Sequence, residues 1–248
     1  MFGKNPVMKQ ELSDGRNLRV VKGSPFYTIQ GEGPFAGHPA VFVRLHGCNL
    51  RCWFCDTQFS DPDDPTWEMI RLARETFDEA VFSREHGKAQ LVVITGGEPM
   101  RQNIIPLCEA LLKQGLTVQI ETAGTLWLEG LDALLGVYYG NRMHIVCSPK
   151  TPNIHPMIKQ HATCFKYVVG RDTAITTNGG ILANTQIENG PMKPLAAPRA
   201  GAPVYLSPMD EYDETINAAN RIKVSQLCLK HGFIAGVQMH KLMQIVEP

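Results

Sequence analysis

The sequence predicts an α/β fold: a partial, open βα barrel of about six parallel strands within one domain. Three observations predict it. Short continuous apolar runs recur along the chain, the mark of strands covered on both faces. Segments of helical period separate several of them, which implies parallel strands. Polar or glycine-rich motifs follow the runs directly, as where a site is built at the carboxyl ends of strands. Six runs are too few for a closed eight-stranded barrel.

The elements follow in order. Residues 41–45 form the first strand. Residues 66–82 form a helix, with Trp67, Ile70, Ala73, Arg74 and Phe77 at helical spacing and Thr66 as its N-cap. Residues 91–94 are a strand, and residues 104–114 a helix closed by Gly115 at C′. Residues 117–120, 144–147, 165–169 and 204–206 supply four further strands. A last helix runs from about Glu211 to Lys230 and ends before Gly232, and residues 242–246 are strand-like. Residues 176–203 are rich in Gly, Pro, Asn and Ala. A loop of this length is a lid, an insertion or disordered. Strands flank it, so the core is expected at about 26–175 and 203–248, with 176–202 as a variable excursion.

Composition bounds the rest. The 248 residues are 44% hydrophobic and 19% charged, which excludes a disordered chain. Lys+Arg and Asp+Glu balance at 24 each, against a strongly electrostatic nucleic-acid binder. No run of 18 apolar residues is present, so no membrane-spanning helix is expected. The first residues lack an apolar signal-type segment, so a cytoplasmic location with reduced thiols is expected.

Three of the seven cysteines, Cys48, Cys52 and Cys55, follow the first strand directly. Three thiolates from one loop can occupy three corners of a cubane cluster and leave the fourth iron open to a small chelating ligand. A structural zinc site wants four closed ligands, and an electron-transfer 4Fe–4S cluster usually wants four cysteines. The competing readings are a zinc knuckle completed by His46 or Asp56, and chance clustering. Cys108, Cys147, Cys164 and Cys228 lack ligand spacing and read as core thiols. After the 91–94 strand come Thr95, Gly96, Gly97, Glu98 and Pro99, where glycines let backbone approach a ligand closely. Glu121 follows the next strand, and Ser148, Pro149 and Lys150 the one after.

The cysteine spacing, with Phe54 before the third cysteine and the Gly-Gly-Glu-Pro segment one βα unit later, resembles the radical S-adenosylmethionine superfamily. Within it, several short blocks in this order resemble the 7-carboxy-7-deazaguanine synthase family: residues 26–34, 39–45, 55–57, 94–99, 119–122, 148–150 and 238–241. The resemblance implies a radical S-adenosylmethionine core, with a 4Fe–4S cluster on Cys48, Cys52 and Cys55. S-adenosylmethionine would be bound by Phe54, Cys55, Asp56, Gly97 and Glu98, and further along by Ser148, Pro149 and Lys150. It further implies a 5′-deoxyadenosyl radical that removes a hydrogen atom from C6 of 6-carboxy-5,6,7,8-tetrahydropterin. Ring contraction to 7-carboxy-7-deazaguanine with loss of ammonia follows, on the route to queuosine and other 7-deazapurines.

For the substrate, the resemblance points to Ile29, Gln30, Gly31 and Glu32 at the pterin edge, with Thr95 and Glu121. Arg44 would take the carboxylate in a fork. Pro248 would reach the pterin through a terminal carboxylate. Thr57 would place its hydroxyl on Mg²⁺, an ion that prefers oxygen ligands. A homodimer and an electron donor such as flavodoxin or ferredoxin are implied too. One departure is Ser207 before Pro208, where the family commonly has Gln. The alternatives are an activase that generates a glycyl radical on a partner protein, and a non-enzymatic iron–sulfur or zinc module.

Overall fold

The computed structural model describes residues 5–11, 13–82, 88–177 and 179–245. An eight-stranded sheet forms its centre. Its strands, in chain order, are β1 (Phe26–Ile29), β2 (Pro39–Leu45), β3 (Leu91–Gly96), β4 (Thr117–Thr122), β5 (Met143–Cys147), β6 (Cys164–Val169), β7 (Val204–Pro208) and β8 (Ile234–Ala235). Spatial order equals chain order from one edge to the other. Only β1 and β2 pair antiparallel; all other neighbours pair parallel. Strands added always on the same side, each through a crossover of one hand, curl the sheet into an open barrel. The six strands expected are β2 to β7; β8, two exposed residues long, adds a seventh parallel strand.

Side-chain alternation sorts the sheet's two faces. Val41, Val43, Leu45, Val92, Ile94 and Ile120 pack outward with the helices in the main core. Those helices include α1 (Met69–Phe82), α2 (Ile105–Lys113) and α3 (Pro156–His161), which contribute Leu72, Leu107, Leu111 and Ile158. The next residue along each strand faces inward, as Ala40, Phe42, Leu91 and Val93 do in a second, smaller cluster. The same parity at the carboxyl ends gives the inner face Arg44, Thr95, Glu121 and Lys166. Register sets Arg44 beside Thr95.

Three local expectations are corrected. Thr66 does not cap α1: Thr66–Glu68 is a strand paired antiparallel with Asn17–Arg19, which sets Trp67 opposite the fully buried Leu18. The buried side of α1 is Leu72, Ala73, Thr76 and Ala80, while Ile70 is 68% exposed, so the helical period holds but its phase is displaced. Residue 242 is not in a strand. It ends a short helix, α5 (Met239–Leu242), and Val246 lies outside the described residues.

The other helix limits follow local chemistry. α4 (Glu214–His231) starts where Asp213 accepts a hydrogen bond from the Ile216 amide at 3.0 Å. It stops at Gly232, which takes the left-handed conformation that closes helices. The 176–203 excursion is structured: Ala174–Ile175, Ile181–Ala183 and Lys193–Pro194 form a small antiparallel sheet. Cys108, Cys147, Cys164 and Cys228 are all buried core thiols, as expected.

Candidate active site

A cavity of about 510 Å³ opens at the carboxyl ends of the strands. Cys48, Cys52 and Cys55 line one side, on the loop that leaves β2. That loop is held from two sides. The backbone after β3 docks on it, with Gly97 N–H donating to Leu45 O at 3.2 Å and Glu98 N–H to Gly47 O at 3.0 Å. A Cβ on Gly97 would sit 2.1 Å from Gly47 O, so the approach is open only to glycine. From the other side come residues of the excursion. Trp53 N–H and Nε1–H donate to Thr185 O at 3.3 Å and Asn184 O at 3.1 Å.

All three thiols are free and are raised above the ordinary cysteine range by burial, Cys48 to about 12 and Cys55 to about 11. As thiolates they would repel one another, so the donor set calls for a cationic group. Among the described residues, no three His, Cys, Asp or Glu converge as the ligands of a single ion do. The competing zinc ligands are otherwise occupied. His46 Nδ1 lies 2.7 Å from Asp64 Oδ2 in a buried pair, and Asp56 Oδ2 is 3.3 Å from Lys241 Nζ. Three thiols on one wall of a larger cavity fit an iron–sulfur cluster with room beside it for a chelating molecule.

Glu98 does not line this cavity. Its carboxylate is fully buried and accepts from Thr122 Oγ1 at 2.8 and 2.9 Å, Ala123 N at 2.8 Å and Met100 N at 3.1 Å. It locks the ends of β3 and β4 together, and the cavity wall there is Thr95, Gly96 and Gly97. Phe54, Asp56, Ser148 and Lys150 also line the cavity; Pro149 does not. Lys150 Nζ donates to Ser148 O at 3.0 Å and to Ser148 Oγ. Burial holds its ammonium below the usual lysine range.

A polar network also lines the cavity. Gln30 Nε2 donates to Glu121 Oε1 at 3.0 Å, and Thr95 Oγ1 to Glu121 Oε2 at 3.3 Å. Glu32 N–H donates to Gln30 Oε1 at 3.1 Å. Arg44 lines the cavity with its guanidinium 4.9 Å from the Phe26 ring centroid. Thr57 is also on the wall, its hydroxyl donating to Asp56 Oδ1 at 3.2 Å. Ile29 and Gly31 belong to the backbone of this segment rather than to the lining, and Pro248 lies outside the described residues. Ser207 is buried in β7, and its hydroxyl has no hydrogen-bond partner among the described residues.

The sequence reading missed Lys166, which pairs with Glu32 at 2.6 Å on the cavity wall. A lysine between Phe165 and Tyr167 in a buried strand was the available signal. It also assigned no role to His240 and Lys241, which line the cavity from α5. Lys241 bridges Asp56 and Asp210, at 3.3 and 2.7 Å.

An open βα barrel with a three-cysteine loop after its first parallel strand defines a radical S-adenosylmethionine protein. Residues 42–145 match the Radical SAM superfamily model. Proteins named 7-carboxy-7-deazaguanine synthase are similar over nearly the whole chain. That of Rhodospirillum rubrum is 38% identical, covering 99% of this chain and 100% of its own length. That of Rickettsia prowazekii is 34% identical, with 99% and 96% covered. The chain belongs to the 7-carboxy-7-deazaguanine synthase family. The crystal structure of QueE from Escherichia coli shares the fold, with a TM-score of 0.57 at 23% identity over 90% of this chain and 95% of that one.

Proposed function

We infer that this chain is a radical S-adenosylmethionine enzyme, a carbon–nitrogen lyase of 7-deazapurine biosynthesis. It converts 6-carboxy-5,6,7,8-tetrahydropterin to 7-carboxy-7-deazaguanine with loss of ammonia. The observation that carries this is one cavity that the cysteine triplet shares with Arg44, Gln30, Glu121 and the Glu32–Lys166 pair. A 4Fe–4S cluster and S-adenosylmethionine, when bound, supply the radical that removes hydrogen.

The chain's own side chains bind and orient. Cys48, Cys52 and Cys55 hold the cluster. Phe54, Asp56, Gly97, Ser148 and Lys150 surround the cofactor, with Glu98 fixing the backbone on which Gly97 sits. Arg44 forks the substrate carboxylate. Glu121, Gln30 and Thr95, with the backbone of Ile29 and Gly31, meet the donors and acceptors of the pterin edge, and Glu32 answers its guanidine-like N–H groups. Thr57 would offer its hydroxyl to Mg²⁺, an ion that would supply electrostatic stabilisation of the substrate carboxylate.

The chain works as one domain and as a homodimer in the cytoplasm, reduced by a flavodoxin or ferredoxin. In support of the location, no helix among the described residues is long and apolar enough to cross a membrane. An activase is disfavoured: a polypeptide glycine needs an open groove, and α5 instead packs on the Gly31 segment, with Met239 N–H donating to Gly31 O at 3.2 Å.

Anaerobic incubation with reductant, S-adenosylmethionine and the carboxytetrahydropterin tests the reading. The deazaguanine chromophore is expected. Its absence from protein with a full cluster that still cleaves the cofactor would overturn the substrate assignment.

A further inference from the structure

The 176–203 excursion reaches the cysteine loop. Asn184 and Thr185 bind the Trp53 indole and amide through their carbonyls. Next to them, Gln186 Nε2 lies 3.5 Å from Cys52 Sγ, 3.4 Å from Lys150 O and 3.3 Å from Thr185 Oγ1. The orientation of this amide follows from its neighbours. Lys150 O is a carbonyl and only accepts. The Thr185 hydroxyl spends its single proton on Lys150 O, at 2.6 Å, so it too faces Gln186 as an acceptor. With both oxygens accepting, the side of Gln186 turned to them and to the sulfur is its NH₂, whose two N–H groups the three acceptors share.

The excursion that delivers this amide is fixed in place. Leu195 N–H donates to Ile181 O at 2.9 Å, Ala196 N–H to Thr151 O at 2.8 Å, and Tyr167 OH to Ala196 O at 2.7 Å. Ile181, Ala183 and Leu195 are buried in the main core.

We propose that the excursion is a cover for the iron–sulfur cluster, and that Gln186, as a positioning residue, donates N–H to Cys52 Sγ and so raises the cluster's reduction potential. This rests on the cluster assignment made above. A reduced cluster carries one more negative charge, part of it on its thiolate sulfurs. An N–H dipole aimed at one of them stabilises the reduced form more than the oxidised one. By the same contact the cover keeps water from the Cys52 side, since solvent exposure is another determinant of cluster potential.

The test compares wild-type protein with Gln186→Met, which keeps the length of the side chain and removes the donor, and with Ile187→Ala at an exposed neighbouring position. All are reconstituted anaerobically without S-adenosylmethionine and titrated with dithionite through mediators, following the reduced-cluster paramagnetic signal. Gln186→Met is expected to shift the one-electron equilibrium about tenfold toward the oxidised cluster, or about 59 mV lower. Ile187→Ala is expected to leave it unchanged. Equal potentials in wild type and Gln186→Met at full iron content would overturn the proposal, as would an equal shift in both variants. Pulsed paramagnetic resonance of wild-type protein labelled with ¹⁵N in its glutamine side chains needs no variant to fold. A weak nitrogen coupling to the cluster is expected, and its absence would also overturn the role of Gln186. Wild-type protein that takes up no iron would instead overturn the cluster assignment itself.

Discussion

Lys166 Nζ lies 2.6 Å from Glu32 Oε2, tying the middle of β6 to the segment that follows β1 across the inside of the curled sheet. Burial pulls the Lys166 ammonium down, but Glu32 and Glu121 outweigh it and hold it above the usual lysine range. Burial pushes the Glu32 carboxyl up, but Lys166 outweighs it and holds it below the usual carboxylate range. A depressed carboxylate contributes stability above its ordinary value of 4.5, lost as pH falls through its folded value. A raised lysine contributes below its ordinary value of 10.5, lost as pH rises through its folded value. Lys166→Met is therefore expected to cost about 3 kcal/mol near neutral pH, as when one partner of a buried pair is removed. Urea unfolding at a series of pH values checks this: the gap to wild type narrows toward both extremes. A gap that stays constant into strong acid would count against the pairing.

Gly97→Ala adds one methyl group where Gly47 O leaves 2.1 Å. The obstacle is backbone, so the cysteine loop must move. Overpacking of this kind costs about 1–3 kcal/mol. Iron bound per chain after reconstitution is expected to fall more steeply than the melting temperature, because the displaced loop carries all three thiols. Normal iron loading would show that the loop tolerates the shift.

Cys52→Ala leaves two thiols on the loop. Cluster absorbance and turnover are both expected to vanish, while thermal unfolding of the iron-free protein changes little, since Cys52 is only partly buried. Full activity in this variant would refute the cluster assignment.

Arg44→Lys keeps the charge and loses the fork and the flat face set over Phe26. Substrate affinity is expected to drop at least tenfold, with S-adenosylmethionine binding unchanged, as measured by calorimetry on anaerobic protein. Equal loss of both ligands would place Arg44 on the cofactor instead.

What the sequence made legible follows from where the physics is local. Residues 91–94 are apolar at every position, so the strand shows without reference to partners, and the cysteine spacing reads within eight residues. Thr66 failed because its role depends on Asn17–Arg19, a strand too short to signal itself. Glu98 illustrates a different limit. Its motif is plain, but whether a carboxylate faces a ligand or its own backbone depends on Thr122 and Ala123, which arrive from the next strand. Lys241 meets Asp56 only because the sheet curls, and no pattern within one segment encodes that curvature. Gln186 sits in a stretch without periodicity, where a reading by hydrophobic pattern has nothing to hold.

The hydrogen bond from Met239 to Gly31 joins segments that adjoin opposite edges of the sheet. A contact between residues so far apart in the chain forms late, since loop closure must be met before it rewards the fold. On a ribosome, the thiols at 48, 52 and 55 emerge long before α5 does. A nascent chain thus presents its cysteines from an unfinished gutter, with no far wall to screen them from oxidants or stray metals. The order of the strands therefore sets when, in the growing chain, the cysteine loop gains its last wall.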